Sequence, residues 1–288
     1  MKNTLNQVIR RDLTAGAGHI MPGAGNALAA RLIEAAGFRM MMVSGAAVAN
    51  SYLGVPDIGL VSVTELAAHV AAIRDAVNIP ILADGDTGFG NAINARRTVQ
   101  LLERAGANAI MLEDQTYPKR CGHFDGKEVI PMQEMVSKIK AAVDARVDPG
   151  MMILARTDAR AVEGFAAACD RARAYREAGA DFLFIEAPLT KDELLAIPRE
   201  VPGIHLCNLV IGGKTPLVSQ QELAAAGYAA ICYANAALQA SMLAMQEVLG
   251  HLHAKGSIEG IESRLMMFGE RQKVLDAQKY KALEAGYQ

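Results

Sequence analysis

Short β-rich apolar runs alternate with helix-forming segments along most of this 288-residue chain. The apolar runs are bounded by turn residues, and we interpret them as strands at 18–22, 39–43, 79–84, 107–112, 151–156, 181–186, 203–207 and 229–233. The segments between them have helical periodicity, for example at 26–36, 63–76, 91–104, 132–145 and 161–178. Strands that alternate with helices predict a parallel sheet covered by helices, because each parallel connection must cross over the sheet.

A short glycine motif repeats at the boundaries of these units. Ala-Gly precedes a predicted strand at Gly37, Gly106, Gly179 and Gly227, where glycine can end a helix in the left-handed conformation. Eight strand-helix units predict a (β/α)8 barrel, with an open doubly wound sheet as the alternative.

More helix follows the eighth strand than one barrel unit needs. Helices are predicted near 235–254, 257–266 and 268–283. We therefore expect residues 1–288 to form one barrel domain, with 235–288 as a helical extension. Because surplus amphipathic helix usually packs on a neighbouring subunit, we also expect an oligomer.

The composition favours a metabolic enzyme over a polyanion-binding protein. The formal net charge is −2, aromatic residues make up 5% of the chain, and Trp is absent, which argues against nucleic-acid binding. No apolar stretch reaches the ~18 residues of a membrane span, and the four cysteines form no Cys-x-x-Cys pair. We expect a cytoplasmic protein that acts on a small molecule, without a membrane partner.

Polar side chains collect where the predicted strands end, whereas the strand beginnings carry almost nothing comparable. In a parallel barrel the carboxyl ends of the strands form one rim, which carries the active site. The polar residues at these ends are Ser44, Asp84, Asp86, Glu113, Asp114, Arg156, Thr157, Asp158, Glu186 and Asn208.

Three of these acids suggest a metal site. Asp84, Asp86 and Glu113 offer the hard oxygen ligands that suit Mg²⁺, or Mn²⁺ in its place. Helix capping is the alternative interpretation, but it explains one acid better than three. Asp57, in a Pro-Asp turn, either joins this site or stabilises its own turn.

Two further features could bind a carboxylate. Arg156 could clamp one with two parallel hydrogen bonds, or could form an internal salt bridge with Glu186 or Asp158. The backbone N–H groups of 44–46 (Ser44, Gly45, Ala46) could bind a carboxylate or an oxyanion, although small residues there could equally reflect close packing.

The segment 119–123 carries the most specific signal. Lys119, Arg120 and His123 surround Cys121, and this cationic setting predicts a lowered pKa for the thiol. A zinc site would need a second ligand pair, which the sequence does not supply. A cysteine protease would need a separate partner histidine and would give the acid cluster no role.

Segments 84–90, 113–115 and 119–123 together resemble the isocitrate lyase and phosphoenolpyruvate mutase superfamily. The resemblance extends from residue 22 to about residue 216, and the cysteine segment is typical of the lyase branch. It implies a tetramer whose last barrel helix is exchanged between subunits. It also implies Mg²⁺ held mainly by Asp84, with Asp86 and Glu113 acting through water.

The resemblance assigns the remaining site residues as well. Cys121 would handle the proton at the carbon released by cleavage, and the other catalytic groups would be Lys119, His123 and Arg156. The substrate contacts would be Ser44, Gly45, Ala46, Asp57, Arg156, Glu186, Asn208 and Thr215.

The implied activity is a magnesium-dependent retro-Claisen cleavage of a substituted 2-hydroxy di- or tricarboxylate to pyruvate and a carboxylic acid. The 2-methylisocitrate and 2,3-dimethylmalate lyases are the two candidate types, and segments 123–127 and 212–216 look more like the latter. An enzyme of the same superfamily that processes oxaloacetate or phosphonopyruvate is one alternative. A non-catalytic barrel used for binding or assembly is another.

Overall fold

A computed structural model describes residues 2–287 and shows a closed barrel of eight parallel strands in chain order. The first strand pairs with the last, which closes the sheet. The strands are β1 His19–Ala24, β2 Met41–Val43, β3 Ile81–Asp84, β4 Ala109–Glu113, β5 Met152–Thr157, β6 Phe182–Ile185, β7 His205–Asn208 and β8 Tyr228–Tyr233. The predicted (β/α)8 barrel is therefore confirmed, and the open sheet is wrong.

Helices surround the barrel and follow its eighth strand. They are α1 Lys2–Asp12, α2 Ala27–Ala35, α3 Gly45–Val48, α4 Val63–Ala76, α5 Ala92–Ala105, α6 Met132–Ala145, α7 Ala159–Val162, α8 Phe165–Glu177, α9 Lys191–Glu200, α10 Gln220–Ala226, α11 Ala236–Lys255, α12 Phe268–Val274 and α13 Ala277–Gly286. A π-helix spans Ala49–Leu53 and a 3-10 helix spans Glu262–Arg264.

Local sequence sets where these helices begin and end. Gly37, Gly106, Gly179 and Gly227 all have φ between 87° and 112°, as the repeated Ala-Gly motif predicts. The side chain of Asn91 accepts hydrogen bonds from two backbone N–H groups at the start of α5. Because Asn91 caps the helix after β3, the acids that end β3 are not needed for capping.

The core has two parts. One lies between the barrel and its helices, and the other fills the barrel interior with side chains that include Met21, Met42, Leu82, Met111, Phe184, Leu206 and Cys232. Every residue of β3, β4, β5 and β6 is buried, as expected for strands covered on both faces.

The C-terminal extension differs in part from its prediction. Helix α11 lies close to its predicted bounds, but the helix predicted at 257–266 is reduced to the short 3-10 turn. The helix predicted at 268–283 is broken into α12 and α13 at Asp276, whose left-handed backbone (φ 55°) cannot continue a right-handed helix.

The end of the barrel where the strands begin is also polar, which the sequence analysis missed. Asp181 accepts hydrogen bonds from Arg10 at 2.8 Å, from Arg146 at 2.9 Å and from the backbone N–H of Ile153 at 2.8 Å. These partners come from distant parts of the chain, so their convergence was not visible in the pattern. No helix among residues 2–287 has both the length and the apolar character required to cross a membrane.

Candidate active site

The carboxyl ends of the strands surround a narrow cleft with a volume of about 30 Å³. Nine of the predicted site residues line it, namely Ser44, Ala46, Asp57, Asp84, Cys121, His123, Arg156, Glu186 and Asn208. Five others do not line the cleft, namely Gly45, Asp86, Glu113, Lys119 and Thr215. Apolar side chains of the barrel interior form part of its lining: Met42, Met111, Phe184, Leu206 and Cys232.

Asp84 and Asp86 converge beside Gly45. A Cβ atom added to Gly45 would lie 3.1 Å from Asp84 Oδ2 and 3.2 Å from Asp86 Oδ1, so a side chain there would press on both carboxylates. Asp84 accepts hydrogen bonds from the backbone N–H groups of Gly45 and Asp86, each at 3.2 Å. These bonds fix the Asp84 carboxylate at the end of β3.

Lys119 balances the charge of this pair. Its Nζ lies 2.9 Å from Asp86 Oδ1 and 2.6 Å from Asp57 Oδ1, and its side chain is 3% exposed. Burial raises the pKa of Asp86 to about 6, against the opposing attraction of Lys119. Burial alone would lower the pKa of Lys119. The carboxylates of Asp86 and Asp57 outweigh burial and raise this pKa well above its ordinary value, so the ammonium stays charged.

Glu113 is buried without sufficient hydrogen-bond donors. Neither carboxylate oxygen has a hydrogen-bond partner among the described residues, although Arg156 Nη1 lies 3.1 Å from Oε2. Burial raises the pKa of Glu113 well above its usual range. A buried carboxylate left in this state is costly unless another cation or a proton joins it.

The donor set fits a hard divalent cation. The buried carboxylate of Glu113 has no hydrogen-bond partner among the described residues, and that of Asp86 contacts Lys119 through Oδ1; both lie near the ordered carboxylate of Asp84. Within residues 2–287, no three His, Cys, Asp or Glu side chains approach closely enough to hold an ion between them. Carboxylate oxygens are the hard ligands that Mg²⁺ prefers, and this ion commonly keeps several waters beside one or two carboxylates.

Arg156 is held by three carboxylates rather than projecting freely. Its Nε donates to Asp158 Oδ2 at 2.9 Å, and its Nη2 donates to Asp158 Oδ1 at 3.1 Å. The Nη2 atom also lies 3.3 Å from Glu186 Oε2. The internal salt bridge considered from the sequence is thus present, and the guanidinium still lines the cleft.

The loop of residues 119–127, called the cysteine loop below, folds over this cleft. The Cys121 backbone N–H donates a hydrogen bond to the Asp57 carbonyl at 3.0 Å, which connects the cysteine loop to the loop after β2. Gln115 donates to the Arg120 carbonyl at 2.8 Å and accepts from the Arg120 N–H at 3.0 Å. These bonds hold Cys121 half-buried at the edge of the cleft.

The predicted lowering of the Cys121 pKa is wrong. Burial raises the pKa of this thiol, and the nearby carboxylates of Asp57 and Glu186 raise it further. The neighbouring cations do not compensate, because Lys119 is paired with Asp57 and Asp86. The group is therefore a protonated thiol at neutral pH, suited to donating a proton rather than to attacking as a thiolate.

His123 is neutral and oriented by the chain. Burial lowers its pKa, and its Nδ1 accepts a hydrogen bond from the Lys214 backbone N–H at 3.0 Å. This contact places the ring proton on Nε2, which has no hydrogen-bond partner among the described residues and lies 3.9 Å from Glu186 Oε1. A free N–H donor is therefore available in the cleft lining.

The remaining predicted contacts are only partly free to bind a ligand. Three backbone N–H groups were predicted to bind a carboxylate. The Ser44 N–H donates to the Ala24 carbonyl at 3.1 Å and the Gly45 N–H donates to Asp84, so the Ala46 N–H is the remaining candidate. Asn208 accepts from the Ala234 N–H at 3.3 Å. The Thr215 hydroxyl is buried without a partner among the described residues, outside the cleft lining.

Sequence reasoning gave no role to several groups that organise the site. Lys127 donates to Asp158 at 2.8 Å. Asp114 accepts from Thr157 and from Tyr175, each at 2.7 Å. Asn235 lines the cleft from the turn after β8. The position of Asp114 after β4 was a usable signal, whereas nothing local to Lys127 or Asn235 indicated their partners.

A family model described as phosphoenolpyruvate phosphomutase matches residues 9–253. The chain is thus an α/β-barrel enzyme that belongs to the phosphoenolpyruvate mutase and isocitrate lyase superfamily. The resemblance stated from its motifs is confirmed, and the chain is a lyase of this superfamily.

Two curated relatives carry lyase names. The chain is 42% identical to the 2,3-dimethylmalate lyase of Eubacterium barkeri over 93% of both proteins. It is 42% identical to the 2-methylisocitrate lyase of Aeropyrum pernix, over 92% of this chain and 85% of that one. A crystal structure of phosphonopyruvate hydrolase in complex with oxalate and Mg²⁺ is 35% identical over 99% of both chains, with a TM-score of 0.88.

Proposed function

We propose that the protein is a magnesium-dependent carbon–carbon lyase that cleaves a substituted 2-hydroxy dicarboxylate or tricarboxylate to pyruvate and a carboxylic acid. The observation that supports this most directly is that Asp84, Arg156 and Cys121 line one cleft. These side chains supply an ordered carboxylate, a carboxylate-binding cation and a protonated thiol, which are three of the groups such a cleavage requires; the fourth is a base that takes the proton of the substrate hydroxyl.

Asp84 would hold the metal directly, and Asp86 and Glu113 would contact it through water. Bound there, a Mg²⁺ ion would favour ionisation of the substrate hydroxyl. The Glu113 carboxylate, which has no hydrogen-bond partner among the described residues, supports this assignment, because a cation satisfies a buried carboxylate whose pKa burial has raised. Lys119 keeps Asp86 in place.

Breaking the carbon–carbon bond leaves negative charge on the released carboxylic acid as an enediolate. Arg156 and the Nε2–H of His123 would stabilise this charge from the cleft wall. Cys121 would then give its proton to the carbon. The raised pKa of the thiol supports this direction of proton transfer, because the thiol carries its proton at neutral pH.

The substrate candidates are 2,3-dimethylmalate and 2-methylisocitrate. The names of the two curated relatives support both, and the identities of 42% do not separate them. Phosphonopyruvate is the main alternative, since a phosphonopyruvate hydrolase is 35% identical in sequence and superposes closely.

A substrate panel tests the proposal. Purified protein with MgCl₂ is incubated separately with 2,3-dimethylmalate, 2-methylisocitrate, oxaloacetate and phosphonopyruvate, and pyruvate is measured with lactate dehydrogenase and NADH. We expect pyruvate from at least one hydroxy acid and no release in EDTA. Phosphate release from phosphonopyruvate, or oxalate from oxaloacetate, without turnover of the hydroxy acids contradicts the proposal and favours the alternative chemistry.

A binding or assembly barrel without catalysis would give a different result. Such a protein would turn over none of these compounds, and its melting temperature would not respond to Mg²⁺. We expect instead that Mg²⁺ raises the melting temperature and that Asp84→Ala abolishes the increase.

We further propose that the enzyme is a cytoplasmic homotetramer. Helix α11 has no fully buried residue and exposes large apolar side chains, among them Met242, Leu243, Met245 and Leu249. Contiguous apolar surface of this kind is typical of an interface between subunits. Light scattering coupled to size exclusion, which gives the mass in solution, tests the proposed assembly, and a monomer mass near 30.6 kDa contradicts it.

A further inference from the structure

The ammonium group of Lys127 lies buried between the cysteine loop and the barrel, and the chemistry proposed above does not use it. Its side chain is 1% exposed. The Nζ atom donates to Asp158 Oδ1 at 2.8 Å and to the carbonyl oxygen of Gly122. Because a buried ammonium is costly unless it is paired, these two acceptors define its position strictly.

The carboxylate of Asp158 is shared between Lys127 and Arg156. It is fully buried, and it accepts both the Nε and the Nη2 of Arg156 while its Oδ1 also accepts from Lys127. Burial raises the pKa of Asp158, but Arg156 and Lys127 together lower it to about 2. One permanently ionised group therefore links the loop lysine to the cleft arginine.

Gly122 brings the loop backbone against the same arginine. A Cβ atom on Gly122 would lie 2.5 Å from Arg156 Nη2 and 2.6 Å from Glu186 Cδ, so the backbone contacts both side chains. Cys121 and His123 are the two residues that flank Gly122 in the chain. Holding the Gly122 carbonyl therefore restricts the positions of the thiol and the imidazole together.

The barrel side of this connection is rigid. Asp114 accepts the backbone N–H of Asp158 at 2.9 Å and the hydroxyls of Thr157 and Tyr175 at 2.7 Å each. Asp114 and Asp158 are both fully buried. The loop is the part that depends on Lys127, because Asp158 keeps its place through these other bonds.

We propose that Lys127 is a positioning residue, which holds the Cys121 thiol in a fixed relation to the Arg156 guanidinium through Gly122 and Asp158. The inference rests on the proposed role of Cys121 as proton donor. It assigns the lysine no contact with substrate and no proton transfer.

Thiol reactivity tests this without substrate. In Lys127→Met, alkylation of Cys121 by iodoacetamide at fixed pH is expected to be about tenfold faster, because one charge-assisted hydrogen bond holds the closed loop. The other three cysteines are at most 3% exposed, and Cys121→Ser supplies the background rate. Lys191→Met is the matched control, since Lys191 pairs with Glu222 on the exposed surface far along the chain.

Kinetics provide the second measurement. In Lys127→Met, kcat is expected to fall by about tenfold or more with a smaller change in KM, because the proton donor is misplaced while the binding groups remain. Lys127→Arg is expected to recover part of the loss, which a purely steric role of the side chain does not predict. If Lys127→Met does not fold, the same measurements are made on Lys127→Gln, which keeps a hydrogen-bond donor.

A folded Lys127→Met protein that is alkylated at the wild-type rate overturns the inference. So does a kcat within about twofold of wild type. A lower melting temperature with unchanged alkylation and kcat assigns Lys127 to stability alone and also overturns it. Because alkylation needs no turnover, a failure of the substrate panel is distinguishable from a failure of this inference.

Discussion

The two ends of the barrel are both rich in charged residues but use them in opposite ways. Where the strands begin, Asp181 receives three hydrogen bonds from Arg10, Arg146 and Ile153. Where the strands end, Glu113 is more deeply buried, yet neither of its oxygens has a hydrogen-bond partner among the described residues. The carboxylate of Asp181 is fully satisfied by its neighbours, whereas that of Glu113 has only the Arg156 guanidinium, 3.1 Å from Oε2.

This difference separates stability from function within one fold. Satisfied buried charges contribute to folding, since removing either partner leaves a costly unpaired group. Unsatisfied buried groups reduce stability and persist where a ligand is to complete them. The presence of charge at a barrel end therefore does not by itself identify an active site.

The largest effect that this comparison predicts lies at the carboxyl end. Cys121→Ser is expected to reduce kcat by about 10²–10⁴-fold, because a serine hydroxyl is a far weaker acid than the thiol it replaces. The melting temperature is expected to change little, since Cys121 is only half-buried. Steady-state kinetics and a thermal melt of the same preparation provide the two values. Near-full turnover in the variant contradicts the assigned role.

A smaller effect is expected at the end where the strands begin, where a substitution should reduce stability and leave kcat unchanged. Asp181→Ala leaves three donors without their shared acceptor, so the free energy of unfolding should fall by about 3 kcal/mol. The value of kcat should be unchanged, since the change is confined to the end where the strands begin. Urea unfolding measures the first quantity. A loss of activity without a loss of stability would reverse the comparison.

The smallest effect concerns pH and His205, which is fully buried at the start of β7. Burial lowers the pKa of His205 to about 4, below the ordinary 6.5. The unfolded chain then binds a proton before the folded protein does, so stability is lost as pH falls from 6.5 towards 4. Because proton binding is linked to unfolding, the free energy of unfolding should fall by about 2 kcal/mol between pH 7 and pH 5.

Unfolding of the wild type and of His205→Gln at both pH values measures this contribution. The wild type should lose more stability on acidification than the variant, although the variant is less stable at pH 7. Equal losses in the two proteins would show that the histidine does not supply this part of the acid sensitivity.

Much of the fold follows from local pattern. The eight strands and the glycines at helix ends were predictable because hydrophobic period and left-handed glycine positions are properties of neighbouring residues. The break between α12 and α13 was not, since the segment keeps helical composition through Asp276. The position of the acids at strand ends was also predictable, because parallel strands place all their carboxyl ends at one rim.

The sequence by itself determined the architecture, the family and the identity of the residues that meet at the rim. Only the tertiary structure decided how their charges are paired. Lys119 lies two residues before Cys121 in the sequence but pairs with Asp57 and Asp86, and burial of the thiol raises its pKa rather than lowering it. The physical reason is that burial and pairing depend on groups brought together from distant segments, and no local pattern encodes these distances.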